Sequence, residues 1–154
     1  MTTFAGNGTS GSTDGTGTNA TFKYPFGVAV DNSGNIFVAD GVDNRIRKIT
    51  SAGVVTSFSG DGTNTGIFDG VGTQATFNNP WGIAVDSSGT LYIGDTNFHR
   101  IRKITSAGVS SQFAGNGASG AFTDATGTNA RFSSPRGVAV DSSGNIYVAD
   151  QGNN

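Results

Sequence analysis

The stretch from Pro80 to Ile104 reads PWGIAVDSSGTLYIGDTNFHRIRKI, and its pattern decides the fold. Short runs of β-branched and aromatic residues alternate with clusters of Gly, Ser, Asp and Asn. Each apolar run is too short for a helix, and the polar clusters are typical of tight turns. The stretch therefore predicts several short strands joined by turns.

The same pattern occurs three times in the chain. The phrase Gly-Val/Ile-Ala-Val-Asp begins at Gly27, Gly82 and Gly137, so successive copies are 55 residues apart. Further landmarks keep this spacing: Phe22, Phe77 and Phe132; Pro25, Pro80 and Pro135; Asp40, Asp95 and Asp150; and Asp14, Asp69 and Asp124. Such a regular period indicates one supersecondary unit per repeat, packed against its neighbours.

Each repeat predicts four antiparallel strands, which is the plan of a β-propeller blade. The predicted fold class is all-β, a single propeller segment over residues 1–154 built from four-stranded antiparallel blades. Blade one is placed at 27–59, blade two at 82–115 and a partial blade three at 137–150, while residues 2–5 match a fourth strand. A long connection over residues 60–79 ends near Phe77, whose recurrence in each repeat predicts an anchor in a hydrophobic pocket.

The repeats resemble the NHL repeat family, whose pattern is P-x-G-[VI]-A-V-D-x-x-G-x-[IL]-[YF]-[VI]-A-D-x-x-N-x-R-[IV]-x-[KR]. The first two copies match it almost throughout, except that Gly94 replaces the usual Ala and Phe98-His99 widens the turn. The third copy matches until the sequence stops at Asn154. The resemblance covers the whole chain and implies a β-propeller, most often six-bladed.

About three blades cannot close a ring, because propellers close with roughly four to eight. We therefore expect either a head-to-tail homodimer that closes a six-bladed ring or a longer parent that supplies the missing blades. In the dimer, strand 2–5 of one copy would complete the terminal blade of the other, which would still lack its third strand. For a longer parent we favour an extracellular or cell-surface location, although residues 1–4 show no signal-peptide pattern.

Sequence variation between the copies predicts where binding takes place. It concentrates just before the first strand and in the turn between the second and third strands, which emerge on one face of a meander. The candidate partner-binding residues are Tyr24, Phe26, Asn79, Trp81, Phe98, His99 and Arg136. Phe26, Trp81 and Arg136 could stack on a sugar or anchor a protein, or simply pack against the neighbouring long connection. His99 could contact a ligand or be an inert turn residue.

The third strands carry a basic pattern, Arg-Ile-Arg-Lys, at residues 45–48 and 100–103. This could mark an RNA-binding surface, but pairing with Asp40, Asp43 or Asp95 is the favoured interpretation, as surface pairs that add little stability. A weaker hypothesis is calcium at Asp61 and Asp69. The equivalent positions in the other copies are Asn7, Asp14, Asn116 and Asp124, and their spacing is more typical of turn caps.

Composition argues against catalysis. The chain has one His, no Cys and no Glu, because all 11 acidic residues are Asp. Propeller enzymes related to the NHL family use several His around a metal, or a Glu ligand, and neither site can be carried over to any residue here. We therefore expect no catalytic residues, no metal and no cofactor. A net charge of −2 and the lack of a long apolar run predict neither nucleic-acid nor membrane partners.

The sequence thus predicts a non-catalytic interaction or scaffold module that binds a protein or glycan through its loop-rich face. Two alternatives remain open. The repeats could form a cassette with no ligand, valued for self-assembly, or they could form half of a propeller hydrolase completed by a partner chain.

Overall fold

A computed structural model describes residues 2–63, 66–120 and 122–153, and in these ranges the chain is all-β. The strands are β1 (Gly15–Thr16), β2 (Pro25–Val30), β3 (Ile36–Asp40), β4 (Arg45–Ile49), β5 (Val54–Ser59), β6 (Gly70–Val71), β7 (Pro80–Val85), β8 (Leu91–Asp95), β9 (Arg100–Ile104), β10 (Val109–Ala114), β11 (Pro135–Val140) and β12 (Ile146–Asp150). Short 3₁₀ turns lie at Gly17–Asn19, Gly72–Gln74, Thr96–Phe98 and Gly127–Asn129. Within the described residues, no helix is long and apolar enough to span a membrane.

The strands form three antiparallel sheets that correspond to successive propeller blades. Blade one has the strand order β1-β5-β4-β3-β2, blade two β6-β10-β9-β8-β7, and the third sheet pairs β11 with β12. The predicted all-β propeller fold is therefore confirmed. The first strand of each blade begins at its proline, two residues earlier than the sequence suggested.

Each of the first two blades has a fifth, outermost strand that the sequence did not predict. In blade two, Gly70 and Val71 pair with Ser110 and Val109 of β10. This short strand belongs to the long connection, which runs along the outer edge of the next blade before it enters the first strand. The connection thus covers an edge that would otherwise expose unpaired backbone groups.

The largest hydrophobic core lies between blades one and two. Phe37, Ala39 and Ile46 of blade one pack against blade-two residues that include Ile83, Leu91, Ile93 and Ile104. Phe77, at the end of the connection, is fully buried in the same cluster, as its recurrence predicted. Burying side chains of this size is the main favourable term that holds successive blades together.

The structure places residues 2–5 outside any strand, whereas the sequence predicted a fourth strand there. The residue that follows them is held against blade one, because the Gly6 N–H donates to the Gly17 carbonyl at 3.1 Å. Gly60 and Gly115, which follow β5 and β10, make the equivalent bond to the next blade. Residues 2–5 therefore lie against blade one as β5 lies against blade two. Among the described strands, none pairs with residues 2–5.

Candidate functional site

The variable segments lie on one face of the blades. In each repeat a backbone hydrogen bond joins the turn after the second strand to the segment before the first strand. The Gly41 N–H donates to the Tyr24 carbonyl at 3.1 Å, Asn97 to Asn78 at 3.1 Å, and Gly152 to Ser133 at 2.7 Å. We call this side, which carries residues 22–26 and 40–44 and their repeats, the loop-rich face.

A left-handed residue precedes the first strand of every blade. Tyr24, Asn79 and Ser134 have φ angles of 57°, 56° and 53°. Positive φ is uncommon outside glycine, and its recurrence at one repeat position shows that the turn is built into the fold. Two residues later, the side chains at 26, 81 and 136 contact one another across the blades.

Phe26, Trp81 and Arg136 form a continuous stack across the three blades, called here the ladder. The rings of Phe26 and Trp81 are parallel to within 2°, and their centroids are 3.8 Å apart. The Arg136 guanidinium carbon lies 4.2 Å from the Trp81 ring centroid. Two groups this close cannot share one side of a ring, so Phe26 and Arg136 cover opposite faces of Trp81. Stacking and cation–π attraction both stabilise this arrangement.

His99 and Asn44 join neighbouring blades on the same face. The Ser134 N–H donates to Nδ1 of His99 at 3.0 Å, and the Asn79 N–H donates to Oδ1 of Asn44 at 2.8 Å. Nδ1 can accept only when it carries no proton, so a neutral ring holds its proton on Nε2. His99 therefore acts here as a cap between blades two and three.

The remaining predicted residues lie around the ladder. Tyr24 has 65% of its surface exposed, and it is the most accessible of the predicted aromatic residues on this face. Phe98 ends the Thr96–Phe98 turn, and its carbonyl accepts a hydrogen bond from Arg100 at 3.4 Å. The structure thus brings all seven predicted residues to the loop-rich face.

A second constellation, which sequence reasoning described incorrectly, lies inside blade one. The guanidinium of Arg47 is fully buried. Its Nη1 donates to Asp40 at 3.2 Å and to the Thr21 carbonyl at 3.0 Å, while Nη2 donates to Asp14 at 2.6 Å and to the Thr13 carbonyl at 3.1 Å. Its carbon also lies 5.3 Å from the ring centroid of Phe22.

Blade two repeats this arrangement around Arg102. Nη1 donates to Asp95 at 3.4 Å and to the Thr76 carbonyl at 2.9 Å. Nη2 donates to Asp69 at 2.7 Å and to the Phe68 carbonyl at 3.1 Å. Each arginine thereby links a long connection to the blade that follows this connection in the sequence.

These contacts confirm ion pairing as the role of the Arg-Ile-Arg-Lys strands at Arg47 and Arg102, but they correct its location. The pairs were expected at the surface with little effect on stability, whereas both guanidinium groups are buried. Arg47 and Arg102 lie on the strand face that the long connection covers. The alternation of residues along a strand does not reveal that this face is covered. Asp14 and Asp69, weighed above as calcium ligands or turn caps, instead hold these guanidinium groups.

Burial changes the titration of the innermost carboxylates. It raises the pKa of Asp95 to about 7, although the Asn78 N–H and the Arg102 charge oppose that shift. Burial also raises the pKa of Asp40, the equivalent residue of blade one. A carboxylate held in a site that disfavours its charge is sensitive to the loss of its arginine.

The other weighed calcium residue, Asp61, caps its own loop, since its Oδ1 accepts from the Thr63 N–H at 2.7 Å. In the described part of the chain, no three His, Cys, Asp or Glu side chains converge as a metal site would require.

Comparison with known proteins agrees with the repeat analysis. The NHL repeat family model matches residues 22–49, 77–104 and 132–154, just over half of the chain. NHL repeat-containing protein 2 of Homo sapiens is 34% identical over 95 residues, which cover 60% of this chain and 13% of that protein. The chain therefore spans only a small part of the curated relative that it matches.

Solved structures share the fold. A protein of unknown function from Bacteroides thetaiotaomicron superposes with a TM-score of 0.69 at 27% identity, over 82% of this chain and 32% of that one. An auxiliary nutrient binding protein from the same organism gives 0.68 at 22% identity, over 86% and 36%. A gluconolactonase from Xanthomonas campestris gives 0.60 at 18% identity, over 84% and 35%. The last two resemblances show the fold alone.

Proposed function

The chain belongs to the NHL repeat family, and on that premise we propose that it is a non-catalytic interaction module. It docks the open sheet faces of its first and third blades on a second copy, and it binds a protein on its loop-rich face. The observation that carries the proposal is that the outward sheet faces of blades one and three carry residues equivalent to those in contact between blades one and two.

Blade one presents the first open face. Its strands turn Val28, Val30 and Ile36 away from blade two, and Val28 and Val30 are 65% and 58% exposed. The residue equivalent to Val28 in blade two is Ile83, which is only 7% exposed because blade one covers it. Exposed apolar side chains grouped on one sheet face indicate a surface that another protein covers.

Blade three presents the second open face, formed by Ala139, Tyr147 and Ala149. Tyr147 is 58% exposed. The equivalent residues of blade one, Ala29, Phe37 and Ala39, belong to the core between blades one and two. The contact between blades one and two therefore already joins these two kinds of face. The open faces of blades three and one carry the equivalent residues, so they could form the same contact.

A second copy is therefore the occupant that fits both faces. The contact is head-to-tail, and two such contacts related by a two-fold axis close a ring without leaving either face open. The ladder supports the same geometry, because Phe26 stacks on Trp81 and remains 37% exposed. In the closed ring, Arg136 of the second copy would lie beside Phe26 as Arg136 lies beside Trp81 within the chain.

The loop-rich face supports a protein partner over a glycan. Aromatic residues bind sugars through a free ring face, but both faces of Trp81 are covered by Phe26 and Arg136. The exposed Tyr24 instead offers the amphipathic side chain that protein interfaces favour.

Light scattering coupled to size exclusion tests the second-copy docking. The wild-type chain should elute with twice the chain mass of 15.6 kDa. Val28→Asp should give a folded monomer, because a charge on this face cannot be buried against an apolar partner. Val71→Asp, at a similarly exposed valine on the outer edge, should leave the dimer intact. A wild-type monomer at all concentrations, or equal effects of both variants, would overturn the proposal.

Selection from a random peptide library tests the loop-rich face. Selected peptides should bind the wild-type chain but lose at least tenfold in affinity for Tyr24→Ala, with Val71→Ala on the outer edge of blade two as the control. A glycan that binds on an array and needs Trp81 would contradict the preference for a protein partner.

A further inference from the structure

The turn that follows β10 contains an Asn-Gly pair, Asn116-Gly117, whose side chain and backbone can react with each other. The Ala118 N–H donates to Oδ1 of Asn116 at 2.9 Å, which closes an Asx turn over the intervening peptide group. This turn holds the side-chain amide of Asn116 beside the backbone nitrogen of Gly117. Asn116 is also exposed, so water can reach the site and a small leaving group can escape.

The Gly117 N–H is available as a nucleophile. Among the described residues it donates no hydrogen bond, whereas the preceding Asn116 N–H donates to the Ala130 carbonyl at 2.9 Å. Glycine also leaves the attack unhindered, because it has no side chain next to the nitrogen. The pair therefore meets the steric requirement for cyclisation to a succinimide, the five-membered imide that Asn-Gly sequences form.

A guanidinium lies on the amide that must ionise in this reaction. Nη2 of Arg100 donates to the Asn116 backbone carbonyl at 3.0 Å. A Cβ on Gly117 would lie 2.5 Å from the same Nη2, so the guanidinium also covers the glycine. The Asn116 carbonyl and the Gly117 nitrogen belong to one conjugated peptide group, so negative charge that develops on the nitrogen spreads to the oxygen. A cation bound to that oxygen stabilises the charge.

The turn between blades one and two has the same contacts, which shows that they are built into the repeat. Nη2 of Arg45 donates to the Asp61 carbonyl at 3.0 Å, and the Thr63 N–H donates to Oδ1 of Asp61 at 2.7 Å. Asp61 stands at the repeat position of Asn116. The two turns thus differ at the electrophile, because an amide can expel ammonia whereas a carboxylate resists attack.

We propose that Asn116 is a site of spontaneous covalent modification, promoted by Arg100. The Gly117 nitrogen loses its proton to solvent and forms a bond to Cγ of Asn116, while the Ala118 N–H stabilises the oxyanion on Oδ1. The bond from Cγ to Nδ2 then breaks, and Nδ2 takes up a proton from solvent and leaves as ammonia. Water opens the succinimide at either carbonyl, which gives aspartate or isoaspartate.

The two products affect the junction between blades two and three differently. Aspartate keeps the turn, as Asp61 does in the preceding repeat, and adds a negative charge beside Arg100. Isoaspartate lengthens the main chain by a methylene group and moves the peptide carbonyl away from Arg100. The reaction releases ammonia and runs one way, so the site acts as a slow, irreversible change at this junction.

Peptide mapping by mass spectrometry measures the reaction in the full 154-residue chain. The folded chain is kept in mildly alkaline buffer, and trypsin then releases residues 104–131, in which aspartate and isoaspartate at position 116 are resolved. Asn116 should convert faster in the folded chain than in a free peptide of residues 112–120, QFAGNGASG, which lacks Arg100. A rigid backbone ordinarily slows this cyclisation, so a faster reaction in the folded chain identifies assistance by the fold.

Arginine variants locate that assistance. Arg100→Met should slow the conversion of Asn116 at least tenfold, because it removes the cation from the reacting amide. Arg100→Lys, which keeps a charge on a flexible side chain, should lose less. Arg45→Met removes the same charge from the equivalent turn between blades one and two, and it should leave the rate at Asn116 unchanged.

The Asn7-Gly8 pair serves as a reference in every digest. The Thr9 N–H donates to Oδ1 of Asn7 at 2.9 Å, so this pair has the same Asx turn, and a variant that loosens the whole chain should change its rate as well. Conversion of Asn116 that is no faster in the folded chain than in the peptide would overturn the proposal. So would equal rates in Arg100→Met and the wild type, or equal losses in Arg100→Met and Arg45→Met.

Discussion

The indole of Trp81 lies flat on the ring of Phe26, with 3.8 Å between their centroids. These residues stand at one position of successive repeats, as does Arg136 on the other side of the indole. A position that varies between repeats is often read as a ligand contact. Here the three residues found at this position are complementary to one another, because an electron-rich indole lies between a second ring and a cation.

Trp81→Ala removes the middle of the ladder, and we expect it to lower the free energy of unfolding by about 2–4 kcal/mol. Tyr24→Ala is the control, with an expected change below about 0.5 kcal/mol because the side chain is exposed. Trp81 is the chain's single tryptophan, so urea unfolding should be followed by far-UV circular dichroism for every variant. Equal midpoints for the two variants would show that the ladder contributes nothing to stability.

Above about pH 7, where Asp95 is ionised, Arg102→Met leaves the buried carboxylate without its cation, and we expect it to lower the free energy of unfolding by about 3–5 kcal/mol. Arg100→Met, two residues earlier on the same strand, should cost less than about 1 kcal/mol because Arg100 is partly exposed and donates mainly to carbonyls.

The double variant Arg102→Met/Asp95→Leu separates pairing from packing. Because it removes both charges, its stability should recover much of the loss seen in Arg102→Met. Urea unfolding of the wild type, the two single variants Arg102→Met and Asp95→Leu, and the double variant gives a double-mutant cycle. A double variant that is no more stable than Arg102→Met would mean that the arginine acts through packing rather than through Asp95.

The sequence could predict the repeat, the four-strand blade and the face that carries the loops, because these depend on local patterns of Gly, Asp and apolar residues. It could not reveal that Gly70 and Val71 pair with β10, since a two-residue strand has no periodicity to detect. Nor could it show that Arg47 is buried. That position becomes interior only when the connection, with Asp14 and the Thr13 carbonyl, folds over the blade.

The sequence could point to the positions at which the repeats differ, but not to the contacts that the side chains at those positions make. Phe26, Trp81 and Arg136 were identified because they differ between copies. Their mutual stacking depends on the close approach of β2, β7 and β11 across blades, a tertiary relationship. His99 was weighed as a ligand residue or an inert one, yet its equivalence to Asn44, a residue that tolerates left-handed conformations, was the available signal for a capping role.

Stability should fall as the pH rises from about 4 to about 7. An unfolded Asp loses its proton near its ordinary pKa of 3.8, whereas folded Asp95 keeps its proton until about 7. The folded state therefore binds more protons in this window, and its advantage, present below 4, is lost as the pH rises. We expect a loss on the order of 1–4 kcal/mol across the window.

The pH series is best measured by urea unfolding in a His99→Asn background, where asparagine takes the capping role that it has at Asn44. Asp95→Asn should flatten the slope between 4 and 7, leaving the smaller contribution of Asp40. Asp86→Asn is the control: hydrogen bonds to Ser88 and Thr90 lower the pKa of Asp86 despite partial desolvation. Its effect should therefore appear only below about 4, as stability that is lost on acidification. Stability that rises from 4 to 7 would contradict the raised pKa of Asp95.

Gly82→Ala should destabilise the chain far more than Gly137→Ala, although the two glycines are equivalent in the repeat. A Cβ on Gly82 would collide with the carbonyl oxygen of Arg136, because the first strands of blades two and three approach backbone to backbone. A Cβ on Gly137 would meet only the Cβ of Ala149, at 3.1 Å, since no further blade lies against it in the described part of the chain. We expect losses of about 2–4 kcal/mol and below about 1 kcal/mol in urea unfolding of dilute, monomeric protein. If a second copy packs on blade three as proposed, Gly137→Ala should instead weaken the dimer in light scattering. A Gly82→Ala chain as stable as the wild type would show that the blades can separate at no cost.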